Sequence, residues 1–475
     1  MTPRRRLVVV AVIVLVLAGG GLLDRRGRPA SRVATSPPVP MAAAAAAGSS
    51  AWYCTGATAA KDGGADGNVI VANAGSRALA GVVTVYPDAG DPRRQPVAVG
   101  PRSRQVVHLA DVVSSKYASA LVELDGGDAV VELADGGPLG ETATPCASAA
   151  STSWYFAEGV TTKDATETIF LFNPFPDDAV VDMVFGTEDG QVTPQALTGV
   201  SVRGGGMTGV NVGDFVQRRE QVTAAVTARA GRLVAARLQS FDGSGPSGRK
   251  GMALLLGAAA PGDLWYLPEG LVADGVTERY QVFNPSGREA RVELDLALEK
   301  GVAEPLLLTV PATGRVTVSA NDEARIPKSV PHAVTARSLN GVGVVVERDM
   351  EFAAASHRSG LTESLGARVT ARRWALGSGS SDDNEEEDVV VQNPGTVAAH
   401  VSLAVLSDGT DLTNDALQGL EVAPGQRRAI RLGDTVKLAV TPVVVTADQP
   451  VVVERVLASL KGAGVSASIG IPLRG

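Results

Sequence analysis

Four tryptophans stand at nearly equal intervals along this 475-residue chain, and their spacing constrains the fold more than any other feature. The intervals are 102, 111 and 109 residues, and 101 residues follow the last of Trp52, Trp154, Trp265 and Trp374. An asparagine follows each tryptophan after 21, 19, 19 and 19 residues, at Asn73, Asn173, Asn284 and Asn393. Markers that recur so regularly predict a chain built from repeated structural units.

The residues between the markers are typical of strands and tight turns. Each asparagine ends an apolar run, and in three of the four units a proline follows, as in IFLFNPF at 169–175. Residues 292–298, VELDLAL, alternate between apolar and acidic side chains, which is the pattern of a strand with one solvated face. About seven strands per unit, with turn signals every 8–12 residues, predict an immunoglobulin-like antiparallel β-sandwich.

The sequence therefore predicts an all-β protein with four tandem immunoglobulin-like sandwich repeats after an N-terminal transmembrane helix. The predicted parts are a signal-anchor or transmembrane segment at 1–28, a Pro/Ala-rich linker at 29–50, and repeats at 51–150, 151–262, 263–371 and 372–475. Whether the four repeats form a straight rod or a closed ring is open at this stage.

The N-terminus predicts the compartment. Residues 7–23 are an apolar run preceded by Arg4, Arg5 and Arg6, which favours an uncleaved, single-pass anchor with its N-terminus inside the cell. A cleaved signal peptide is the alternative, with Ala30 and Ala34 as a distant cleavage site. In either case, the rest of the chain is expected at the extracytoplasmic face of the cell membrane or in secreted form.

Cys54 and Cys146 are the two cysteines of the chain, and they stand near the two ends of the first predicted repeat. Outside the cytoplasm such a pair is expected to be oxidised. We therefore predict a disulfide between them that joins the first and last strands of that repeat. A free thiol pair is the alternative, but no histidine or basic cluster lies nearby in sequence to activate it.

Composition and motifs exclude several functions. The net charge of −8 is spread without a basic patch, which argues against a nucleic-acid partner. No nucleophile, phosphate-loop or metal-ligand spacing appears, so we assign no catalytic, cofactor-binding or metal-binding residues. The acidic run at 382–388, DDNEEED, is expected to be a solvated loop rather than a calcium site. Glu158 and Glu269 are expected to shape turns.

The opening motif carries a resemblance. The pattern W-Y-x-x-E-G occurs at 154–159 and 265–270, and Glu-Arg pairs recur at 347–348 and 454–455. With the Asn-Pro element, this pattern resembles an actinobacterial membrane-anchored or secreted family of unknown function. The resemblance covers residues 51–475 and is strongest in the second and third repeats. It implies an extracytoplasmic location and a β-sandwich fold, and it implies no activity.

These observations favour a non-catalytic structural or interaction protein of the bacterial cell envelope, acting as a spacer, scaffold or adhesion module. The expected partners are the membrane, through residues 7–23, and envelope proteins or cell-wall glycans. The alternative is a protein that binds carbohydrate or a cell-wall polymer, which requires exposed tryptophans. We expect the tryptophans to pack in the cores or at domain junctions. The Glu-Arg pairs fit either a ligand patch or strand residues between sheet and solvent.

Overall fold

The computed structural model describes residues 39–60, 66–301, 303–353 and 357–474. These residues belong to one compact unit, which spans residues 37–475. The unit is nearly all-β and consists of antiparallel sheets, as predicted. The predicted transmembrane segment lies outside the described residues. Within the described ranges, no helix is long and apolar enough to cross a membrane.

The strands fall into four consecutive segments, each opened by a strand that contains one of the tryptophans. The first segment comprises β1 (Ser50–Ala59), β2 (Asn68–Asn73), β3 (Leu79–Pro87), β4 (Arg93–Val99), β5 (Ser103–His108), α1 (Leu109–Val112), β6 (Ser115–Leu124), β7 (Ala129–Gly137) and β8 (Gly140–Pro145). The second comprises β9 (Ser153–Phe156), β10 (Ala165–Asn173), β11 (Ala179–Thr187), β12 (Gly190–Val192), β13 (Thr198–Val202), β14 (Gly206–Asn211), β15 (Val222–Ala230), β16 (Val234–Asp242) and β17 (Lys250–Leu256).

The third and fourth segments continue the pattern. The third comprises β18 (Leu264–Leu267), β19 (Val276–Phe283), β20 (Ala290–Leu298), β21 (Leu306–Val310), β22 (Arg315–Ser319), β23 (His332–Ser338), β24 (Val345–Phe352) and β25 (Gly360–Leu365). The fourth comprises β26 (Ala371–Leu376), β27 (Glu385–Asn393), β28 (Ala399–Ser407), β29 (Thr410–Leu412), β30 (Leu420–Val422), β31 (Gln426–Arg431), β32 (Val443–Ser459), β33 (Val465–Ile469) and β34 (Ile471–Pro472). Short 3-10 turns lie at Gln195–Leu197, Val212–Asp214, Ala320–Asp322, Asp415–Leu417 and Leu432–Asp434.

Each segment contains two sheets, which we call the tryptophan sheet and the asparagine sheet after the marker that each carries. In the first segment their strand orders are β1-β6-β3-β4 and β5-β2-β7-β8. The third segment has the same orders, β18-β23-β20-β21 and β22-β19-β24-β25. In the second and fourth segments the outer strand is divided in two, and in the fourth the long β32 takes part in both sheets.

This topology departs from the predicted immunoglobulin order. In immunoglobulin domains the first two strands are neighbours in one sheet. Here β1 pairs with β6, and β2 lies in the opposite sheet between β5 and β7. The prediction of about seven strands per unit is also low, because the first and third segments have eight. Alternation of apolar residues predicts strands, but it does not specify which strands pair.

The tryptophans are buried, with at most 2% of each residue exposed. The indole Nε1 of Trp154, Trp265 and Trp374 donates to the backbone oxygen of Leu233, Val344 and Val451 at 2.9, 2.8 and 3.0 Å. These bonds tie the opening strand of a segment to the connection between its two late strands or, in the fourth segment, to β32. Trp52 Nε1 lacks a partner among the described residues.

The asparagines hold the two sheets of each segment together. In the second segment, Asn173 Nδ2 donates to Asp177 O at 2.9 Å in the turn and to Val202 O at 3.0 Å on the opposite sheet. Asn173 Oδ1 accepts from Phe175 N at 3.2 Å. Corresponding bonds are made by the other three markers, Asn73, Asn284 and Asn393. The asparagines therefore have the predicted role in the turn and also connect the two sheets.

The predicted disulfide between Cys54 and Cys146 is present, with a Cα–Cα distance of 4.5 Å and a sequence separation of 92. Beside it, Tyr53 and Ala147 form an isolated antiparallel bridge. The same bridge recurs at Tyr155–Ala258 and Tyr266–Ala367 in the second and third segments, without cysteines. The disulfide therefore fixes covalently a contact that the other two segments make through the backbone.

We expect Asn173→Asp to lower the free energy of unfolding by about 2–4 kcal/mol, since a carboxyl oxygen would then face two buried carbonyls that have lost their donor. Chemical denaturation measures this change. Asn414→Asp is the matched control, because Asn414 is exposed and its Oδ1 accepts from Ala416 N, a role that aspartate retains. Equal stability of the two variants would contradict the assigned role of Asn173.

Candidate functional site

One strand near the end of each segment contacts its counterparts in the neighbouring segments, and these contacts form a closed cycle. Strand β8 lies beside β17, β17 beside β25, β25 beside β33, and β33 beside β8. The four segments therefore form a ring, in which the first and fourth are neighbours although they are far apart in sequence. We call the contact between consecutive segments a junction, and the contact between the fourth and the first the closing junction.

Hydroxyl side chains cover the strand edges that meet at the centre of the ring. Leu254 N donates to Thr142 Oγ1 at 2.9 Å, and Ala467 N donates to Thr362 Oγ1 at 2.7 Å. At the closing junction, Ala143 N donates to the Ser466 hydroxyl at 2.8 Å. An exposed sheet edge leaves backbone donors free to pair with other chains. Here, neighbouring segments satisfy those donors, so these edges are not open for the pairing with partners that edge strands can offer.

A buried arginine–glutamate ion pair spans three of the four junctions. Each arginine lies in the strand that pairs with β17, β25 or β33 of its own segment. It binds a glutamate in the corresponding strand of the next segment. The pairs are Arg237–Glu347 at 2.9 Å, Arg348–Glu454 at 2.8 Å and Arg455–Glu132 at 2.9 Å. Their side chains are at most 1% exposed.

Each glutamate of these pairs also binds the opening motif of the preceding segment. Glu347 accepts from Ala157 N and Glu158 N at 2.8 and 3.1 Å. At the closing junction, Glu132 accepts from Gly377 N at 2.7 Å and from Ser378 N at 3.0 Å. Bonds to the backbone in addition to the ion pair compensate for removal of the carboxylate from water. The Glu-Arg motif therefore lies at junctions, and neither the ligand patch nor the half-solvated strand position expected from sequence is correct.

A second set of arginines reaches from the asparagine sheet to the preceding segment. Arg315 binds Glu158 at 2.9 Å, and Arg427 binds Glu269 at 2.6 Å. At the closing junction, Arg104 Nη1 donates to Gly379 O at 3.2 Å. The glutamate of W-Y-x-x-E-G is therefore a junction residue, and the prediction that it only shapes a turn is wrong.

The junction between the first and second segments uses apolar groups instead. Leu133 follows Glu132 at the arginine position, and Ala236 precedes Arg237 at the glutamate position. Aromatic rings fill the space: Tyr117 meets Phe170 and Tyr86 meets Phe172, with centroids 4.8 and 5.1 Å apart. Gly56, at φ +83°, allows this contact, because a Cβ there would stand 1.9 Å from Phe170. Both members of the ion pair are replaced together, so no buried charge is left alone.

A further buried glutamate stands six residues before three of the markers, at Glu167, Glu278 and Glu387. Glu278 binds His332 at 3.1 Å and accepts from Tyr280 Oη at 2.5 Å, and Glu387 accepts from the Thr441 hydroxyl. Neither oxygen of Glu167 has a partner among the described residues. Burial is the main cause that raises the pKa of Glu387 to about 8 and that of Glu167 well above its usual value.

The acidic run at 382–388 is not a solvated loop throughout. Glu385 begins β27, and Glu386, Glu387 and Asp388 are buried. Arg431 binds Asp388 and Glu386 at 2.6 and 2.7 Å, and Arg358 of the third segment binds the same two carboxylates. The run therefore contributes to a junction, which its sequence alone did not indicate because the partner arginines are distant in sequence.

The buried tryptophans remove the feature that the carbohydrate-binding alternative required, since no indole face is available for stacking. Strands β8, β17, β25 and β33, together with residues Val39 and Pro40, line an apolar cavity of about 60 Å³. In the part of the chain that the structure describes, no group of His, Cys, Asp or Glu is arranged to hold a metal ion.

Comparisons with known proteins agree with an uncharacterised family. The model of DUF5719, a family of unknown function, matches residues 126–362. No curated protein matches the sequence.

Among solved structures, the crystal structure of Thermotoga maritima 1070 is similar at 18% identity and a TM-score of 0.21, over 22% of this chain and 94% of that one. The Anabaena sensory rhodopsin transducer is 27% identical, with a TM-score of 0.17, over 19% and 83%. A Streptomyces avermitilis alpha-L-rhamnosidase complexed with L-rhamnose is 11% identical, with a TM-score of 0.15, over 68% and 44%. TM-scores this low do not establish a shared fold.

We expect Glu454→Ala to destabilise the protein by about 3–5 kcal/mol, because it leaves Arg348 buried without its charge partner. The double variant Arg348→Leu with Glu454→Ala copies the leucine and alanine of the apolar junction. It should be destabilised clearly less than Glu454→Ala alone. Denaturant unfolding of the two single variants and the double variant measures the coupling. Additive losses would show that the pair does not act as a unit.

Glu387 should make stability depend on pH. Its folded pKa of about 8 exceeds the usual 4.5, so between these values the folded state holds a proton that the unfolded state has released. Its contribution is therefore present below pH 4.5 and is lost as the pH rises to 8. Because Glu387→Gln cannot ionise, its stability relative to wild type should rise between pH 5 and 8, by about 1–3 kcal/mol. A constant difference across this range would contradict a buried, protonated Glu387.

Proposed function

We propose that this chain is a non-catalytic scaffold of the bacterial cell envelope, displayed at the extracytoplasmic face of the membrane or secreted. In this proposal, the four segments are copies of one immunoglobulin-like sandwich in the broad, two-layer sense. Residues 7–23 attach them to the membrane, and the loops around the ring offer contact surface to envelope proteins or cell-wall glycans.

The ring closure carries the proposal. The ionisable residues at the junctions hold neighbouring segments together, as Arg455 and Glu132 do across the closing junction. Catalysis would instead require such groups to converge where a substrate can reach them. A closed ring of sandwiches also holds its loops at fixed separations, and this is the property that a scaffold requires.

The disulfide supports the proposed location. Structural disulfides form and persist in oxidising compartments and are rare in the cytoplasm. The pair Cys54–Cys146 lies in the first segment, which has the apolar junction to the second and is thus held to it without a buried ion pair. An exported chain gains covalent closure of this segment, whereas a chain in a reducing compartment would not keep it.

Alkylation of the full chain in its native host tests the location. We expect Cys54 and Cys146 to resist a bulky maleimide in denatured extracts unless a reductant is added first, and proteinase added to intact cells should degrade the chain. Complete labelling without reductant, or protection from the proteinase that is lost when the cells are lysed, would indicate a cytoplasmic chain and contradict the proposal.

Complementation of a deletion strain tests the scaffold role. Glu132→Ala alone should fail to complement, because it leaves Arg455 buried and unpaired. Glu132→Ala combined with Arg455→Leu should complement, since the closing junction would then copy the apolar one. If these residues had a chemical role, both variants would fail, and that result would count against a scaffold. The amount of exported chain is measured in each strain as the control.

A further inference from the structure

The chain itself crosses three of the four junctions. In each of these, a residue that bridges to the opening strand of its own segment stands seven positions before the tryptophan of the next segment. The bridging residues are Ala147, Ala258 and Ala367, and the tryptophans are Trp154, Trp265 and Trp374. A short peptide connection keeps two partners at a high effective concentration. Neighbouring segments at these junctions therefore stay together even when a side-chain contact between them is lost.

The closing junction has no peptide connection, because the first and fourth segments come from opposite ends of the sequence. In the fourth segment, Ile471 pairs with Ala375 of β26. This pairing is the counterpart of the bridge between Ala147 and Tyr53. Ile471 thus stands where the other segments continue into their neighbour, but the chain does not lead from it into β1. Noncovalent contacts must therefore hold the closing junction.

The residues that precede β1 lie across this junction, and we call residues 39–44 the strap. Its Ala42 N donates to Pro472 O at 3.1 Å, next to Ile471. Arg474 Nε, which is also in the fourth segment, donates to Met41 Sδ at 3.1 Å. The strap is therefore attached to the end of the fourth segment.

The strap is attached to the first segment as well. Met41 N donates to Ser148 Oγ at 3.1 Å, directly after the bridging residue Ala147. Asp128 N, in the turn between β6 and β7, donates to Ala43 O at 3.0 Å. The adjacent amides of Met41 and Ala42 thus donate to different segments, so the strap joins the two segments within a few ångströms.

Packing fixes the strap in the same place. Ala42 is fully buried, in one apolar cluster with Ile471 and Leu473 of the fourth segment and the core of the first. A Cβ at Gly127 would stand 1.9 Å from Ala44 O, so the turn that the strap crosses accepts it only because residue 127 has no side chain. Both the side chain of Ala42 and the bare turn therefore fit this path of the strap.

A turn separates the strap from β1. Most of residues 45–49 are exposed, and the turn is closed by a bond from Ala47 N to Ala44 O at 2.8 Å. β1 begins only at Ser50. The contacts of the strap are therefore a separate attachment and not a continuation of the β1 ladder.

We propose that the strap closes the ring by taking the place of the missing peptide connection. It holds the fourth segment on the first, so that Arg455 and Glu132 stay within reach of each other. When the strap is displaced, the closing junction opens before the other three, since each of those is also held by the chain itself. The inference does not depend on the scaffold role.

The strap also limits where an export signal can be removed. Cleavage after Ala30 or Ala34, the distant site expected from sequence, leaves the strap on the chain. Cleavage within the alanine run at 42–47 removes the bonds to Ser148 and Pro472. The chain that forms the ring therefore begins at or before Val39.

Hydrogen exchange of the full chain tests the closure with three amides that each donate to a hydroxyl across a junction. Ala143 N reports on the closing junction, Leu254 N on the first–second junction and Ala467 N on the third–fourth junction. Gly127→Ala displaces the strap through the Cβ that meets Ala44 O. We expect Ala42 N and Ala143 N to exchange about tenfold faster or more in this variant, with Leu254 N and Ala467 N unchanged.

Two further variants accompany this experiment. Gly287→Ala is the matched control, because a Cβ at Gly287 meets no atom within 4 Å, and it should leave all four amides unchanged. Ser148→Ala is the milder change in case Gly127→Ala does not fold, since it removes only the hydroxyl that accepts from Met41 N. It should accelerate exchange of Ala143 N in the same direction.

Three outcomes would overturn the proposal. Fast exchange of Ala42 N with Ala143 N still protected would show that the junction closes without the strap. Equal acceleration of Ala143 N, Leu254 N and Ala467 N would show a general loss of stability. Protection of Ala42 N in Gly127→Ala would show that the strap does not cross this turn.

The intact mass of the chain recovered from its native host tests the limit on processing. We expect a first residue at or before Val39. A chain that begins within or beyond the strap would overturn the proposal, because its ring would have formed without these bonds. Neither measurement uses the complementation or export assays, so the strap and the scaffold role can fail independently.

Discussion

The buried ion pair between an arginine of one segment and a glutamate of the next is the interaction on which the ring depends. Removing two charges from water is costly, and attraction between them compensates only when the remaining donors and acceptors are also satisfied. Arg348 meets most of this condition: its two terminal nitrogens donate to Glu454, Ser364 and the backbone oxygen of Glu269, and its Nε lacks a partner among the described residues. Such a pair tolerates little displacement, so it fixes the register of neighbouring segments more sharply than apolar packing does.

The contact is heterologous, because the third and fourth segments each present an arginine on one side and a glutamate on the other, and the first and second segments each present one of the two. Interfaces of this kind form either open filaments or closed rings, depending on the rotation between units. Here the rotation closes after four segments, and Arg455 binds Glu132 at 2.9 Å, close to the 2.9 and 2.8 Å of the internal pairs. The apolar junction shows the other solution, in which both charges are absent and Phe170 occupies the space above Gly56.

The local features of the fold could be predicted from the sequence, whereas the assembly could not. The tryptophans and asparagines located the strands, and the two cysteines identified the disulfide, because these residues act within one segment. The strand order, the ring and the buried role of the acidic run depend on contacts such as Arg358–Asp388, between residues whose complementarity is not visible in sequence spacing. The available signal was the Glu-Arg motif. Glu132 lacks the arginine of this motif and Arg237 lacks its glutamate, so every arginine that remains still has a glutamate to bind in the next segment.

Hydrogen exchange of two amides tests the closed ring most directly. Gly377 N and Ser378 N donate to Glu132, a residue 245 and 246 positions away in sequence. The account predicts that both amides exchange slowly in the wild-type chain and rapidly in Glu132→Ala, whereas Ala157 N and Glu158 N, which donate to Glu347, stay protected. Rapid exchange of Gly377 and Ser378 in the wild type, or protection that survives Glu132→Ala, would show that the first and fourth segments are not joined in this way.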